Sequence, residues 1–455
     1  MKTTDAIERR EFLKRAAIVS VGFAALSRCT LSTGESGQPL LGQPLTVDPN
    51  GYLDLPEGFS YKVISRSGQP MSDGFRVPGR PDGMGAFEGS NGRVVLIRNH
   101  ENSPGVSPDS PFGDDNELLG QVPENMIYDA GRGEAPGLGG TTTLVINEET
   151  GAVEKEYLSL AGTDRNCAGG ITPWNSWLTC EESVSKAGSK LEKDHGYMFE
   201  VPSSESPGLA DPQPITAMGR FNHEAVAVDP ETGIVYQTED RHDGLIYRYI
   251  PNEPGKLLAG GKLQALVIKG QPGLDTRNWE TRNTAVGQKL ETEWIDLDDV
   301  ESPEDDLRHR GKELGAAVFA RGEGMWYGNG EIYFACTNGG PNKCGQVFRY
   351  IPAKEGAANG HVELFAESED KALLNMCDNL TVAPWGDVVL CEDNGERNHI
   401  RVINQKGELF DFARNMKSRS EFAGLCFSPS GKTLFVNMQE NGDTIAITGP
   451  WDRLS

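Results

Sequence analysis

The sequence has little positive charge for its length. Its 455 residues include 43 lysines and arginines against 67 aspartates and glutamates, which gives a formal net charge of −24 at pH 7. A nucleic-acid-binding protein is disfavoured, because contacts with phosphates along a nucleic acid need clustered basic side chains. Carboxylates that gather in one cavity bind hard cations, so the acidic excess is compatible with a metal-binding protein.

Cysteines and long apolar runs are also scarce. Eight cysteines are too few for a disulfide scaffold, so the core has to come from buried apolar side chains. The apolar stretch at residues 16–26 is too short to span a bilayer, and no mature membrane anchor is expected. The sequence also lacks the motifs of zinc proteases, EF-hands, paired C-x-x-C sites and G-x-S-x-G hydrolases.

The N-terminal segment resembles an export signal. The run RREFLK at residues 9–14 is similar to the twin-arginine consensus, and the short apolar stretch follows it. Residues 1–30 are therefore expected to engage the twin-arginine export machinery, and residues 36–455 to form the mature domain in the periplasm or outside the cell. Lipoprotein anchoring at Cys29 is the alternative, although Arg28 fits the lipoprotein box poorly.

The remainder of the chain contains six copies of one β unit. Each copy has a carboxylate or asparagine, an apolar run, a turn rich in Gly or Asn, a second apolar run and a polar cluster. One copy leads from Asp82 through Asn91-Gly92 to Glu101, and another leads from Glu323 through Asn329-Gly330 to Asn338. Such turn residues set the torsions of a hairpin, and the β-branched and aromatic residues beside them form strands.

The spacing of the copies predicts the fold class. Intervals of roughly 45 to 100 residues leave room for four strands in each copy, which is typical of a β-propeller, here with six blades. A pair of all-β sandwiches is the alternative, but it would not place a polar cluster at the same end of every hairpin. Residues 103–140 and 253–313 are rich in Gly, Pro and charge and are expected to be loop insertions over one face.

Polar residues in register predict a metal site. The innermost strands of a propeller line a central channel, where a ring of carboxylates is repulsive unless cations neutralise it. Carboxylate and asparagine oxygens favour Ca²⁺, and a thiolate among them admits a transition metal. The alternative is a set of solvated turn residues with no common site. The expected ring consists of Glu101, Glu181, Glu182, Glu224, Glu323, Asp378, Glu392 and Glu421.

Four cysteines leave alternatives open. Cys180 lies in WLTCEE among metal-ligand residue types, although a buried free thiol or half of a disulfide is the alternative. Cys391 occupies the matching position of another copy. Cys336 and Cys344 could close a small disulfide loop or remain free thiols.

Arg321 is the candidate phosphate-binding residue. It precedes Glu323 by two residues, and side chains at i and i+2 of a strand share a face, so both could project into the channel. A guanidinium suits a phosphate because it donates two parallel charge-assisted hydrogen bonds. Neutralisation of the carboxylate ring is the alternative role of Arg321. His100 and His223 alternate away from the ligand glutamates and are expected to pack between blades.

The sequence resembles a known family along nearly all of the mature chain. Motifs similar to those of the PhoX-type alkaline phosphatases occur in order: LPEGFSYKVIS at 55–65, RNHEN at 98–102, NCAGGITPWNSWLTCEES at 166–183, GRFNHEA at 219–225, ARGEGMWY at 320–327, DNLTVAPWGDVVLCEDNG at 378–395 and EFAGLCFSPSGKTLFVN at 421–437. The resemblance implies a six-bladed propeller with a channel cluster of iron (Fe³⁺) and calcium (Ca²⁺) ions. It also implies that Cys180 bridges the irons, that Arg321 contacts the phosphate, and that the shell includes Glu181, Glu182, Glu224 and Glu323.

Residues and resemblance together predict a secreted, metal-dependent enzyme that hydrolyses phosphate monoesters and acts as a monomer. A Ca²⁺-dependent propeller hydrolase of lactonase or phytase type is one alternative, which a single Ca²⁺ without iron absorbance would favour. A non-catalytic metal-binding module at the cell surface is another, which metal binding without turnover of any phosphoester would favour.

Overall fold

Short strands account for most of the regular structure. The structure is a computed structural model that describes residues 40–353 and 359–454, so the expected export signal and Cys29 lie outside the described residues. One α-helix, α1 (Leu307–Glu313), occurs in the part of the chain that is described. No helix in these ranges is long and apolar enough to cross a membrane.

The strands, in chain order, are β1 (Leu53–Asp54), β2 (Ser60–Arg66), β3 (Pro81–Glu88), β4 (Arg93–His100), β5 (Gly139–Asn147), β6 (Ala152–Thr163), β7 (Asn166–Ile171), β8 (Ser176–Glu181), β9 (Met198–Pro202), β10 (His223–Val228), β11 (Val235–Glu239), β12 (Ile246–Pro251), β13 (Gly261–Ile268), β14 (Lys289–Asp296), β15 (Gly322–Gly328), β16 (Glu331–Cys336), β17 (Gln346–Ile351), β18 (His361–Glu367), β19 (Cys377–Val382), β20 (Val388–Glu392), β21 (His399–Ile403), β22 (Leu409–Asn415), β23 (Phe422–Phe427), β24 (Thr433–Met438) and β25 (Asp443–Thr448).

Local sequence explains the hairpins. The second strand of each inner hairpin is rich in β-branched and aromatic residues, as in RVVLIRNH of β4 and EIYFAC of β16, and nearly all of these side chains are buried. The connecting turns use Asn-Gly pairs with left-handed backbone: φ is 53° and 74° at Asn91-Gly92, and 56° and 77° at Asn329-Gly330. These are the turns that the repeat pattern predicts, because Asn and Gly tolerate positive φ.

The sheets are arranged around a channel. All described strand pairs are antiparallel, and strand orders are β2-β25-β24-β23, β3-β4-β5-β6, β7-β8-β9, β10-β11-β12-β13-β14-β18-β17-β16-β15 and β1-β22-β21-β20-β19. The innermost strands contact one another in a closed cycle: β3, β7, β10, β15, β19 and β23. Because β2 near the N-terminus pairs with β25 at the C-terminus, the two ends of the chain close this ring. The fold is thus all-β and propeller-like, as the sequence predicts.

Two details differ from the sequence-based expectation. The described strands form five sheets, because β14 pairs with β13 through its C-terminal half and with β18 through its N-terminal half. Residues 253–313 are also more than a loop insertion, since they contain β13, β14 and α1. The high charge of this region favoured a loop over strands such as LETEWID. The alternation of buried and exposed side chains along β14 becomes evident only in the paired strand.

Cys336 and Cys344 are both free thiols, as are the other cysteines among the described residues. Cys336 ends β16 and faces the apolar core, whereas the Cys344 thiol lies 3.6 Å from the carbonyl oxygen of Asn342. The small disulfide loop that the sequence left open is therefore absent from the described structure.

Candidate metal centre

Each of the six innermost hairpins carries a β-bulge. The pairing register shifts between Pro81 and Met84, Asn166 and Gly169, His223 and Val226, Gly322 and Met325, Cys377 and Leu380, and Ala423 and Cys426. A bulge bends the strand and re-aims the side chain at the extra residue. In five of the six hairpins the bulge contains a metal-ligand residue type: Asp82, Cys167, Glu224, Glu323 and Asp378. We call these five residues the bulge ring.

The bulge ring supplies most of three groups of candidate ligands. Within each group the ligand atoms lie within 4.8 Å of one another. The groups are Cys167 with Glu182 and Glu224, Glu224 with Glu323 and Asp378, and Asp82 with Glu101 and Glu421. Glu224 belongs to two groups, so these two form one continuous cluster.

Burial without compensating partners makes the ring a candidate cation site. Both carboxylate oxygens of Glu224 and Oδ1 of Asp82 are buried and have no hydrogen-bond partner among the described residues. A buried carboxylate is costly unless a proton, a cation or a hydrogen bond compensates it. Residues of this type at these separations fit Ca²⁺ through oxygen ligands and a transition metal through the thiol of Cys167.

The pKa values of the ring reflect the same crowding. Burial, and then the charges of neighbouring carboxylates, raise the pKa of Asp378 and of Glu182 to about 8. Burial and the adjacent Glu323 charge hold the pKa of Glu224 well above its ordinary value. Burial and the charges of Asp82 and Glu224 also raise the pKa of the Cys167 thiol well above its ordinary value. Without cations, the cluster therefore retains protons at neutral pH.

A second tier of residues surrounds the ring at the channel mouth. These residues directly follow the second strand of an inner hairpin and include Glu101, Glu182, Asp240 and Asp393. Asn222 donates from Nδ2 to Glu182 Oε1 at 2.9 Å, and Gln439 donates from Nε2 to Glu101 Oε2 at 3.0 Å. We call this tier the rim; it brings further carboxylates next to the bulge ring.

Arg321 lies at the rim with its guanidinium already bound. Nε and Nη2 donate to the two carboxylate oxygens of Asp240 at 2.7 and 2.9 Å, and Nη2 lies 2.9 Å from Glu323 Oε1. The negative charge of Glu323 holds the pKa of Arg321 above its ordinary value. The parallel pair of bonds expected for a phosphate is thus made to Asp240, and Nη1 is the nitrogen that remains for a ligand.

Two predicted ligands face away from the channel. Glu181 accepts hydrogen bonds from His195 Nδ1 at 2.6 Å and from the backbone N–H of Gly196 at 2.8 Å. Glu392 accepts from Arg401 Nε at 2.8 Å and from the backbone of Asn375 at 2.9 Å. Successive side chains along a strand point to opposite faces. The next residue in each case, Glu182 after Glu181 and Asp393 after Glu392, therefore reaches the rim.

Cys180 also lies outside the three groups. Its side chain is fully buried and packs in an apolar cluster that includes Leu178 and Met198. Cys391 is buried in another apolar cluster, as expected for a strand-end residue. The thiol that the structure brings next to Glu182 and Glu224 is that of Cys167.

The two histidines do not contribute ligands to these groups. His100 contacts the carbonyl oxygen of Gly79 and Thr142 Oγ1, at 2.9 and 2.8 Å, and His223 contacts the carbonyl oxygen of Gly219 at 3.0 Å. Both rings are buried, which agrees with the expected packing role.

Four residues of the site were not among the predicted ligands: Asp82, Cys167, Asp240 and Asp393. Aligning the copies on the second residue of each innermost strand places Asp82 and Cys167 in one column with Glu224, Glu323 and Asp378. The bulges themselves leave no compositional signal.

Small residues line the channel next to the bulge ring. The channel wall there includes Gly83, Ala168, Ala225 and Gly324, together with larger apolar side chains. A Cβ on Gly83 would lie 2.6 Å from Cα of Ala168, so the inner strands approach too closely for any larger residue. Gly83 and Gly324 therefore have no room for a side chain at these positions.

Comparison with known proteins identifies relatives of the chain. The sequence profile described as alkaline phosphatase PhoX matches residues 40–154 and 148–442. PhoX of Pseudomonas fluorescens, solved in complex with vanadate, a transition state analogue, is 18% identical with a TM-score of 0.63, over 90% of this chain and 98% of that chain. A gluconolactonase from Xanthomonas campestris is 12% identical with a TM-score of 0.39, over 92% and 99%. No curated protein sequence matches the chain.

Proposed function

The chain belongs to the alkaline phosphatase PhoX family, and from that premise we propose that it hydrolyses phosphate monoesters at metal ions held by the bulge ring and the rim. The family assignment agrees with the phosphatase class expected from the sequence. The observation that carries the proposal is Glu224, whose two carboxylate oxygens are buried without a hydrogen-bond partner among the described residues while its neighbours are also carboxylates. Such a group is stable in its charged form only beside cations.

The proposed ligands follow the three groups. Cys167 takes the thiolate role that the family resemblance implied for Cys180, because it lies within 4.8 Å of candidate carboxylate atoms and Cys180 packs against apolar side chains. Fe³⁺ suits the group that contains the thiol, and Ca²⁺ suits the groups made of carboxylates alone. The proposed ligand set is Asp82, Glu101, Cys167, Glu182, Glu224, Glu323, Asp378 and Glu421.

The side chains of the rim would bind and orient the phosphoryl group. Arg321 is held in place by Asp240, so its free Nη1 can donate to a phosphoryl oxygen without reorganisation of the side chain. Metal ions in the ring, when bound, supply Lewis-acid polarisation of the phosphoryl oxygens and activate water for attack.

The proposal extends to architecture and location. We count the nine-stranded sheet as two blades, β10–β13 and β15–β18, joined by β14, which gives six blades for the six innermost strands. Residues 36–455 would form this single domain, and residues 1–30 would direct its export to the periplasm or beyond. Two separate observations support the exported location: the membership of the chain in the PhoX family and the twin-arginine-like pattern at residues 9–14.

Metal analysis combined with a phosphatase assay tests the proposal. Purified exported protein is expected to contain iron and calcium and to hydrolyse p-nitrophenyl phosphate, and chelation is expected to abolish turnover. Glu224→Gln is expected to lose both metal and activity. Glu239→Gln is the matched control on the same hairpin, because Glu239 is equally buried but accepts a hydrogen bond from Tyr247 at 2.8 Å. Full turnover by metal-free protein would contradict the proposal.

A further inference from the structure

Three arginines occupy the same position in different repeats at the channel mouth. Arg80, Arg165 and Arg321 each directly precede an innermost strand, and the backbone oxygen of each accepts a hydrogen bond from the residue that follows the second strand of that hairpin. All three have left-handed backbone, with φ of 44°, 50° and 50°. Residues other than glycine adopt this region at an energetic cost, and such residues cluster at ligand-binding sites.

All three guanidinium groups use Nε and Nη2 to bind rim residues. Nε and Nη2 of Arg80 donate to the backbone oxygen and the carboxylate of Glu101. The same two nitrogens of Arg165 donate to the carboxylate of Glu101, and those of Arg321 donate to the carboxylate of Asp240. Nη1 of all three has no hydrogen-bond partner within the described ranges. The side chains are 36%, 40% and 26% exposed, so a ligand at the mouth can reach them.

Arg165 forms ion pairs with two carboxylates, whereas Arg80 forms an ion pair with one. Its Nη2 lies 2.8 Å from Glu101 Oε1 and 2.5 Å from Glu182 Oε2. Glu101 and Glu182 belong to different candidate ligand groups, so Arg165 spans the space between the two groups. Arg80 binds Glu101 alone, with Nη2 2.6 Å from Oε2. A phosphoryl group that bridges the groups would therefore lie next to Arg165.

We propose that Arg165 is a second phosphate-binding residue that acts together with Arg321, an inference that rests on the proposed function. Nε and Nη2 keep the guanidinium on Glu101 and Glu182, and Nη1 donates to a non-bridging phosphoryl oxygen. A monoester presents three such oxygens, whereas a diester presents one fewer and carries less charge. Arg165 thus contributes to the preference for monoesters over diesters.

The test compares two esters with full-length, metal-loaded protein. The kcat/KM ratio of p-nitrophenyl phosphate to bis-p-nitrophenyl phosphate is measured for wild type, Arg165→Gln and the matched control Arg80→Gln. Metal content and inhibition by inorganic phosphate are measured in parallel. One lost charge-assisted hydrogen bond changes binding by about tenfold or more, so Arg165→Gln is expected to lower the ratio by about tenfold and to weaken phosphate inhibition. Arg80→Gln is expected to keep the ratio within about twofold of wild type.

The outcomes separate this inference from the proposed function. Removing a positive charge from a carboxylate cluster does not weaken cation binding, so Arg165→Gln is expected to retain its metals. If Arg165→Gln lowers kcat/KM for both esters equally, the residue only organises carboxylates and the inference is wrong, although the proposed function stands. If Arg165→Gln does not fold, Arg165→Lys is measured, and a wild-type ratio there also overturns the inference. Wild-type protein that hydrolyses neither ester would overturn the proposed function and this inference together.

Discussion

Replacing Cys167 and Cys180 separately distinguishes a metal ligand from a core residue. The two thiols lie on one hairpin, on β7 and β8, and both are buried. Cys167 is grouped with Glu182 and Glu224, and burial and the neighbouring carboxylates raise the pKa of its thiol well above the ordinary value. A bound metal ion would favour the thiolate. Cys180 packs in an apolar cluster, with Leu178 among its neighbours.

The expected magnitudes follow from these environments. Loss of a residue that merely orients a ligand lowers metal affinity by about 10- to 100-fold, so removal of the thiolate itself should cost more than about 100-fold. Cys167→Ala is therefore expected to lose the thiol-bound metal, its visible absorbance and nearly all phosphatase activity. Cys180→Ala removes one sulfur from the core, which should lower the free energy of unfolding by about 1 to 2 kcal/mol.

Metal analysis, visible spectra and kcat/KM for p-nitrophenyl phosphate measure the difference between the two variants, and thermal unfolding measures the packing cost. Cys391→Ala serves as a control, because Cys391 is buried in an apolar cluster of another blade. The reasoning is refuted if Cys180→Ala loses metal while Cys167→Ala keeps it. Equal losses in both variants would also refute it.

Three further predictions follow from the site. Arg321→Ala should retain metal, because it removes positive charge from an acidic cluster, and should lower kcat/KM by about a hundredfold; loss of metal would mean that Arg321 only neutralises the ring. Glu182→Gln should lose metal, whereas Glu181→Gln, which faces His195, should lower the Tm at unchanged metal content; the same metal loss in both would contradict the assigned faces. Chelated protein should lose stability as pH rises from about 5 to about 8, because the pKa values of Glu182 and Asp378 are about 8 in the folded state and near 4 in the unfolded state. The unfolded state then binds fewer protons over this range, so its free energy falls relative to that of the folded state as pH rises. Added Ca²⁺ should remove this fall in Tm, and a Tm that rises over this range would contradict the raised pKa values.

The sequence predicted the hairpins well because their signals are local. Asn91-Gly92 and Asn329-Gly330 adopt the left-handed turns that these residue pairs favour, and the apolar runs beside them form strands. The union of two sheets through β14 depends on contacts between distant segments, which no local pattern reveals.

The structure brings only part of the predicted ligand set together. Glu101, Glu182, Glu224, Glu323, Asp378 and Glu421 lie in the three groups, whereas Glu181 and Glu392 bind other side chains. A strand has a side-chain period of two, so an error of one residue moves a side chain to the opposite face. Glu182 belongs to a ligand group, but its neighbour Glu181 binds His195 inside the blade. Sequence reasoning also did not single out Cys167 and Asp82 as ligands, because a bulge changes which side chains reach the channel and leaves the composition unaltered.

The most direct test of the metal centre is a crystal structure of the exported protein with anomalous data collected at the iron edge and at long wavelength for calcium. Anomalous peaks are expected within ligand distance of Glu224, with an iron peak next to Cys167 Sγ and calcium peaks about 2.3 to 2.6 Å from carboxylate oxygens of the bulge ring. A ring without anomalous peaks, in crystals of protein that hydrolyses p-nitrophenyl phosphate at full rate, would contradict the account.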